Sequence, residues 1–104
     1  ISDSVKNMAN MFADCTSLTT ASFPSCTTIG TYAFGSCYNL LSLYLLGSSL
    51  CSLNNTAAFY STPISTYTAS TGGVYGSIYV PASLLASYKA ATNWVTFSSR
   101  FVGV

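Results

Sequence analysis

A pattern of Phe, then Cys, then Leu returns after 22 residues, and this self-similarity limits the possible folds more than any other feature of the chain. Phe12-Ala13-Asp14-Cys15-Thr16-Ser17-Leu18 recurs as Phe34-Gly35-Ser36-Cys37-Tyr38-Asn39-Leu40. The same offset carries Ala21 onto Leu43 and Phe23 onto Leu45, so an alternating apolar stretch follows each copy. A degenerate third copy starts at Ala58-Phe59-Tyr60-Ser61-Thr62, with Thr62 in the Cys place. Its strand is delayed to Ser77-Ile78-Tyr79-Val80, behind a loop containing Gly72, Gly73 and Gly76. A unit this short cannot bury its apolar face alone, so neighbouring units must stack and share one core.

A period of about 20–29 residues with this pattern is the mark of a leucine-rich repeat. The expected fold is an α+β repeat solenoid with a short parallel sheet and a C-terminal helical cap. It forms one domain over residues 1–104, with repeats near 8–29, 30–53 and 54–80 and the cap over 81–104. Side chains alternate along a strand. That alternation points Leu18, Ala21, Phe23, Leu40, Leu43, Leu45, Ile78 and Val80 inward, and Thr20, Ser22, Ser42, Tyr44 and Tyr79 outward. Residues 81–91 read as a helix: Pro81 suits its start, and Leu84, Leu85, Tyr88 and Ala91 share one face. Asn93 is expected to end it, and Trp94, Phe97, Phe101 and Val102 to fold back over the open end. At the other end, Val5-Lys6-Asn7-Met8 runs directly into a repeat. The expectation is therefore a C-terminal part of a longer protein, with Met8, Met11 and Phe12 partly exposed and self-association through that end.

Ile29-Gly30-Thr31-Tyr32-Ala33-Phe34-Gly35-Ser36-Cys37-Tyr38-Asn39-Leu40 resembles the BspA-like leucine-rich repeat of bacterial surface proteins, in which Ile-Gly-x-x-Ala-Phe precedes a Cys and a Leu-rich strand. Met11-Phe12-Ala13-Asp14-Cys15-Thr16-Ser17-Leu18 is similar, with Met in the usual Ala place. Ile78-Tyr79-Val80-Pro81 followed by Tyr88-Lys89-Ala90-Ala91-Thr92-Asn93-Trp94 resembles the terminal cap of such proteins from gut bacteria and their phages. One departure is Leu46, which stands where many repeats carry Pro, as Pro24 does. The resemblance implies a surface-exposed or secreted protein, or a virion component, with adhesion or host contact as its role. It brings no catalytic residues. The partners it implies are a host or bacterial surface protein, or a glycan.

Composition narrows the chemistry. Only Asp3, Asp14, Lys6, Lys89 and Arg100 are charged, and there is no His, Glu or Gln, whereas Ser and Thr fill 31 positions. A hydroxyl-rich surface with so little charge is unusual in the cytosol and leans toward secreted or virion-surface material. Three scattered cations argue against nucleic acid, whose phosphates need clustered ones. No apolar run nears the ~18–20 residues that span a bilayer, so no membrane insertion is expected. A Ser-His-Asp or Cys-His arrangement cannot be assembled without His. With Asp3 and Asp14 as the only carboxylates, a paired-carboxylate site is equally remote. Gly72-Gly73-Val74-Tyr75-Gly76 lacks the Lys of a phosphate loop and reads as a loop insertion.

The cysteines fit the repeat. Cys15 and Cys37 hold equivalent places, as do Cys26 and Cys51 counted back from Phe34 and Phe59. Cys behaves as a small buried hydrophobe, which favours a ladder of thiols in the core. Neighbouring strands lie ~4.8 Å apart, within reach of a disulfide, so bridging stays open. There is no Cys-x-x-Cys pair for zinc, and no metal or cofactor is expected. Tyr88 and Tyr32 are assigned to packing. Tyr44 and Tyr79, among Thr20, Ser22 and Ser42, are the candidate ligand-binding face, because Tyr offers apolar area and a hydroxyl at low entropic cost. Two functions follow: a non-enzymatic binding or adhesion module, or a structural spacer or phage tail or capsid component with no ligand of its own.

Overall fold

A computed structural model describes residues 7–8, 14–22, 28–30, 32–65 and 68–104. Seven short strands occur among them: β1 (Asn7–Met8), β2 (Thr20–Ser22), β3 (Thr28–Ile29), β4 (Ser42–Tyr44), β5 (Ser52–Leu53), β6 (Ser77–Val80) and β7 (Phe101–Gly103). They form two sheets, ordered β1-β3-β5 and β2-β4-β6-β7, and every pairing is parallel. The 22-residue repeat is visible in the register, where Thr20 lies opposite Ser42 and Ser22 opposite Tyr44. From β4 to β6 the offset grows to 35 residues, yet Ser42 still faces Ser77 and Tyr44 faces Tyr79.

A second strand in the first two repeats, β3 and β5, is a correction to the sequence reading. β3 and β5 lie in the return segments of successive repeats, where Ile29 and Leu53 are buried, and they pair with each other. Two-residue strands carry no visible period, so alternation could not announce them.

The core takes the predicted positions. Ala21, Leu40, Leu43, Leu45, Ile78 and Val80 are buried, and Leu18 is half-buried against them. Phe34 and Phe59, equivalent in successive repeats, stack face to face at 5.6 Å. Thr62, in the Cys place, is fully buried, and its hydroxyl donates to the carbonyl of Phe59 at 2.8 Å. Cys15, Cys37 and Cys51 carry thiols. Phe23, Cys26, Met11, Phe12 and the side chain of Met8 lie outside the described residues.

Asp14, Ser36 and Ser61, each directly before Cys15, Cys37 or Thr62, share a left-handed backbone with φ of 61°, 61° and 56°. This conformation turns successive return segments toward one another. The amide of Asp14 donates to Gly35 O and that of Ser36 to Tyr60 O, both at 2.7 Å. L-residues reach this region at a cost of roughly 1–2 kcal/mol, so the contacts between repeats must over-determine it.

The C-terminal segment differs from expectation in detail. The predicted helix over 81–91 is a 3-10 turn at Ala82–Leu84 followed by a short helix, α1 (Leu85–Ala90). Pro81 stays extended at ψ 137°, and the amide of Ala82 donates to Val104 O, which ties the first turn to the sheet. The helix stops before Asn93. There the chain turns with φ 67° into a second 3-10 segment, Trp94–Arg100. Trp94, Phe97 and Phe101 are buried as expected, but Val102 is exposed. It belongs to β7, where alternation sends Phe101 in and Val102 out. Tyr32 is likewise not a core residue: its φ of 57° swings the ring outward, edge-on to Tyr60 at 6.2 Å.

Side chains of this segment bond the backbone beside the edge strand β5. Tyr88 Oη accepts from the amide of Cys51 at 2.8 Å, and Trp94 Nε1 donates to Cys51 O at 2.7 Å. Asn93 Nδ2 donates to Leu53 O at 2.7 Å. An uncovered strand edge is a template for unwanted pairing. Here three side chains occupy backbone groups of Cys51, directly before β5, and of Leu53 within it.

Candidate functional site

The outward face of the four-stranded sheet carries two rows of side chains. Register aligns Thr20, Ser42 and Ser77 in one row, and Ser22, Tyr44, Tyr79 and Val102 in the next. All five residues singled out from sequence therefore share one face. Thr20 and Ser22 are exposed, while Ser42, Tyr44 and Tyr79 are half-buried. The sequence reading missed Ser77, which extends the hydroxyl row, and Val102, which ends the aromatic row. The alternation that singled out Tyr79 also selects Ser77, two residues earlier. Val102 gave no such signal, because only its pairing with Tyr79 reveals a fourth strand.

Tyr44 and Tyr79 are stacked, with ring centroids 4.7 Å apart and planes 15° from parallel. That separation matches the ~4.8 Å between neighbouring strands, so the stacking axis runs across the sheet. Each ring spends one face on the other. What remains for a partner is the ring edges, the phenol hydroxyls and the two outer ring faces.

The face is electrically neutral. Among the described residues the charged side chains are Asp14, Lys89 and Arg100, and none lies on these strands. Arg100 is engaged elsewhere: Nε and Nη2 donate to Ile64 O and Ser65 O, and its guanidinium lies 3.9 Å over the Tyr75 ring. No group of three or more His, Cys, Asp or Glu that could hold a metal ion, no enclosed pocket and no helix long and apolar enough to cross a membrane occurs among the described residues. Chemically the face can stack, exchange neutral hydrogen bonds and exclude water from apolar surface.

Among the described residues, the strongly perturbed group is a thiol. Burial pushes the Cys37 thiol from its ordinary value of 9.0 up to about 11, and the nearby Cys15 thiol and Asp14 carboxylate push the same way against a stabilising hydrogen bond from the Cys15 backbone. A thiol held protonated in this way is a packing group, not a nucleophile.

Short parallel strands at a 22-residue spacing, with Phe and Cys or Thr on the return and a neutral outward face, define a leucine-rich-repeat protein. The family model "BspA type Leucine rich repeat region (6 copies)" matches residues 1–78, three quarters of the chain, and the chain belongs to that family. No curated protein and no solved structure matches it. The family match ends within β6, so Tyr79 and the whole C-terminal segment lie beyond it.

Proposed function

We propose that this chain is a non-enzymatic binding module whose outward sheet face, formed by Thr20, Ser22, Ser42, Tyr44 and Tyr79, contacts a protein or glycan outside the cell. The observation that carries this reading is the register. It brings two half-exposed tyrosines from strands 35 residues apart onto adjacent positions of one uncharged face. Family membership and the scarcity of charge favour a secreted or cell-surface setting. The absence of His and Glu from the sequence leaves few means for hydrolytic chemistry. In the same reading the repeats form a solenoid. Residues 81–104 cap it, a role supported by the side chains that occupy the backbone of β5.

A second reading, a spacer or virion component without its own ligand, draws on the mutual stacking of Tyr44 and Tyr79. Cross-strand aromatic pairs stabilise a sheet whether or not anything binds them. A glycan-array and mucin-binding screen separates the two, with a Tyr44→Ala, Tyr79→Ala double variant as control. Specific binding lost in a folded double variant supports the binding module. No binding by folded wild-type chain to glycans, mucins or candidate surface proteins supports the spacer.

A further inference from the structure

Cys15 and Cys37 are thiols at equivalent places of successive repeats. Contacts in the repeat register bracket them on both sides. Before them, the amide of Asp14 donates to Gly35 O at 2.7 Å. After them, the amide of Leu41 donates to Thr19 O at 2.9 Å, and Thr20 pairs with Ser42. The residues directly before the two cysteines, Asp14 and Ser36, share a φ of 61°, so the same turn presents both thiols. Both pack against the core, Cys37 fully buried and Cys15 half-buried at its margin. The Cys37 thiol takes a hydrogen bond from the Cys15 backbone and feels the charge of the Cys15 thiol. Neighbouring strands lie ~4.8 Å apart, inside the ~4.4–6.8 Å between Cα atoms that a disulfide needs. Beyond Cys37 this ladder of thiols stops. Thr62 holds the next place, and its hydroxyl is bonded to Phe59 O.

We infer that Cys15 and Cys37 are an oxidation site, which closes to a disulfide across two successive repeats wherever a low-molecular-weight disulfide is in excess over thiol. The inference is independent of what the sheet face binds. The half-buried Cys15 thiolate attacks the reagent RSSR, which forms Cys15–S–S–R and releases RS⁻. Cys37 then loses its proton to solvent and attacks the Cys15 sulfur, and a second RS⁻ leaves. Two protein thiols are oxidised to one disulfide, and one RSSR is reduced to two RSH. Toward outside reagents Cys37 stays a packing group, and only a sulfur already held against it is reached. Burial, with the Cys15 thiol and the Asp14 carboxylate beside it, lifts the Cys37 thiol to about 11. Closure is therefore slow at neutral pH and quickens as pH rises. The product closes a loop from residue 15 to residue 37, which restricts the unfolded chain and stabilises the folded one.

The test incubates the folded 104-residue chain with excess oxidised glutathione, quenches in acid and alkylates the remaining thiols. Peptic peptides are then mapped by mass spectrometry. A peptide pair joined through Cys15 and Cys37 is expected, with an unfolding midpoint about 5 °C or more above that of the reduced chain. A glutathione adduct on Cys15 should come first and convert to the cross-link faster at alkaline pH. In Cys37→Ala that adduct should persist. A wild-type chain that keeps both thiols, or stops at the Cys15 adduct even at alkaline pH, overturns the inference. Linkage of Cys26 to Cys51 in place of Cys15 to Cys37 overturns it too. So does a cross-link that forms only in urea, where the native spacing is lost, or one that leaves the chain no more stable than before.

Discussion

Two single residues show how tightly the core is specified. Gly76 is buried where the delayed strand begins. A Cβ there would lie 2.8 Å from Leu40 O and 3.1 Å from Leu41 O, both backbone atoms that cannot swing away. Gly76→Ala is expected to destabilise the protein by about 1–3 kcal/mol, the usual cost of overpacking, as a lowered urea midpoint. Cys37 makes a prediction about pH. Its folded-state value is raised, so above pH 9 the unfolded chain releases this proton while the folded one retains it. The stability that Cys37 confers is complete below about 9 and declines as pH climbs from about 9 to about 11. Urea titrations at pH 8 and pH 10 should show this decline in the wild type, and a smaller one in Cys37→Ala. The left-handed Ser36 and Ser61 belong to the same scale: neither residue type demands that conformation, which is why no reading of identities finds them.

At the scale of elements, side chains of the C-terminal segment bond the backbone of Cys51 and Leu53. Tyr88→Phe removes the hydroxyl that accepts from the Cys51 amide. A loss of about 0.5–1.5 kcal/mol is expected, with faster exchange of the Cys51 amide proton in hydrogen-exchange NMR. The sequence announced some elements and hid others for identifiable reasons. β2 and β4 follow a 22-residue offset, and β2, β4 and β6 share an alternation long enough to recognise, so their inward residues were legible. β3 and β5 are too short to alternate, and β7 is three residues whose strand character comes only from its partner. The helix was overextended because its apolar spacing continues to Ala91. Tertiary bonds decide where it ends: Ala82 is held by Val104, and Asn93 is drawn to Leu53. For the candidate site, membership of one face was readable from alternation, whereas the stacking axis of Tyr44 and Tyr79 needed the register of β4 on β6.

For the molecule as a whole, a stacked repeat is stable only if each layer finds a neighbour on both sides. The Phe34–Phe59 stack continues into Trp94, 5.9 Å from Phe59, and Phe97, 5.2 Å from it. Trp94 and Phe97 of the C-terminal segment thus share one core with the repeats. A chain ending at Val80 would expose Phe59 and the backbone of Cys51. It is expected to lose cooperative thermal unfolding and to bind a hydrophobic dye, as calorimetry and fluorescence would report.

The path from β4 to β6 is 13 residues longer than the path from β2 to β4, 35 against 22, while the spatial neighbourhood is unchanged. The surplus is gathered on the return side, where Arg100 moors it through Ile64, Ser65 and Tyr75. Closing a longer loop costs little, about 0.6 kcal/mol for each doubling. Chain length between strands is therefore a free variable, and strand adjacency is not. Insertions and deletions can accumulate on one side of such a protein without disturbing the spacing of the side chains displayed on the other.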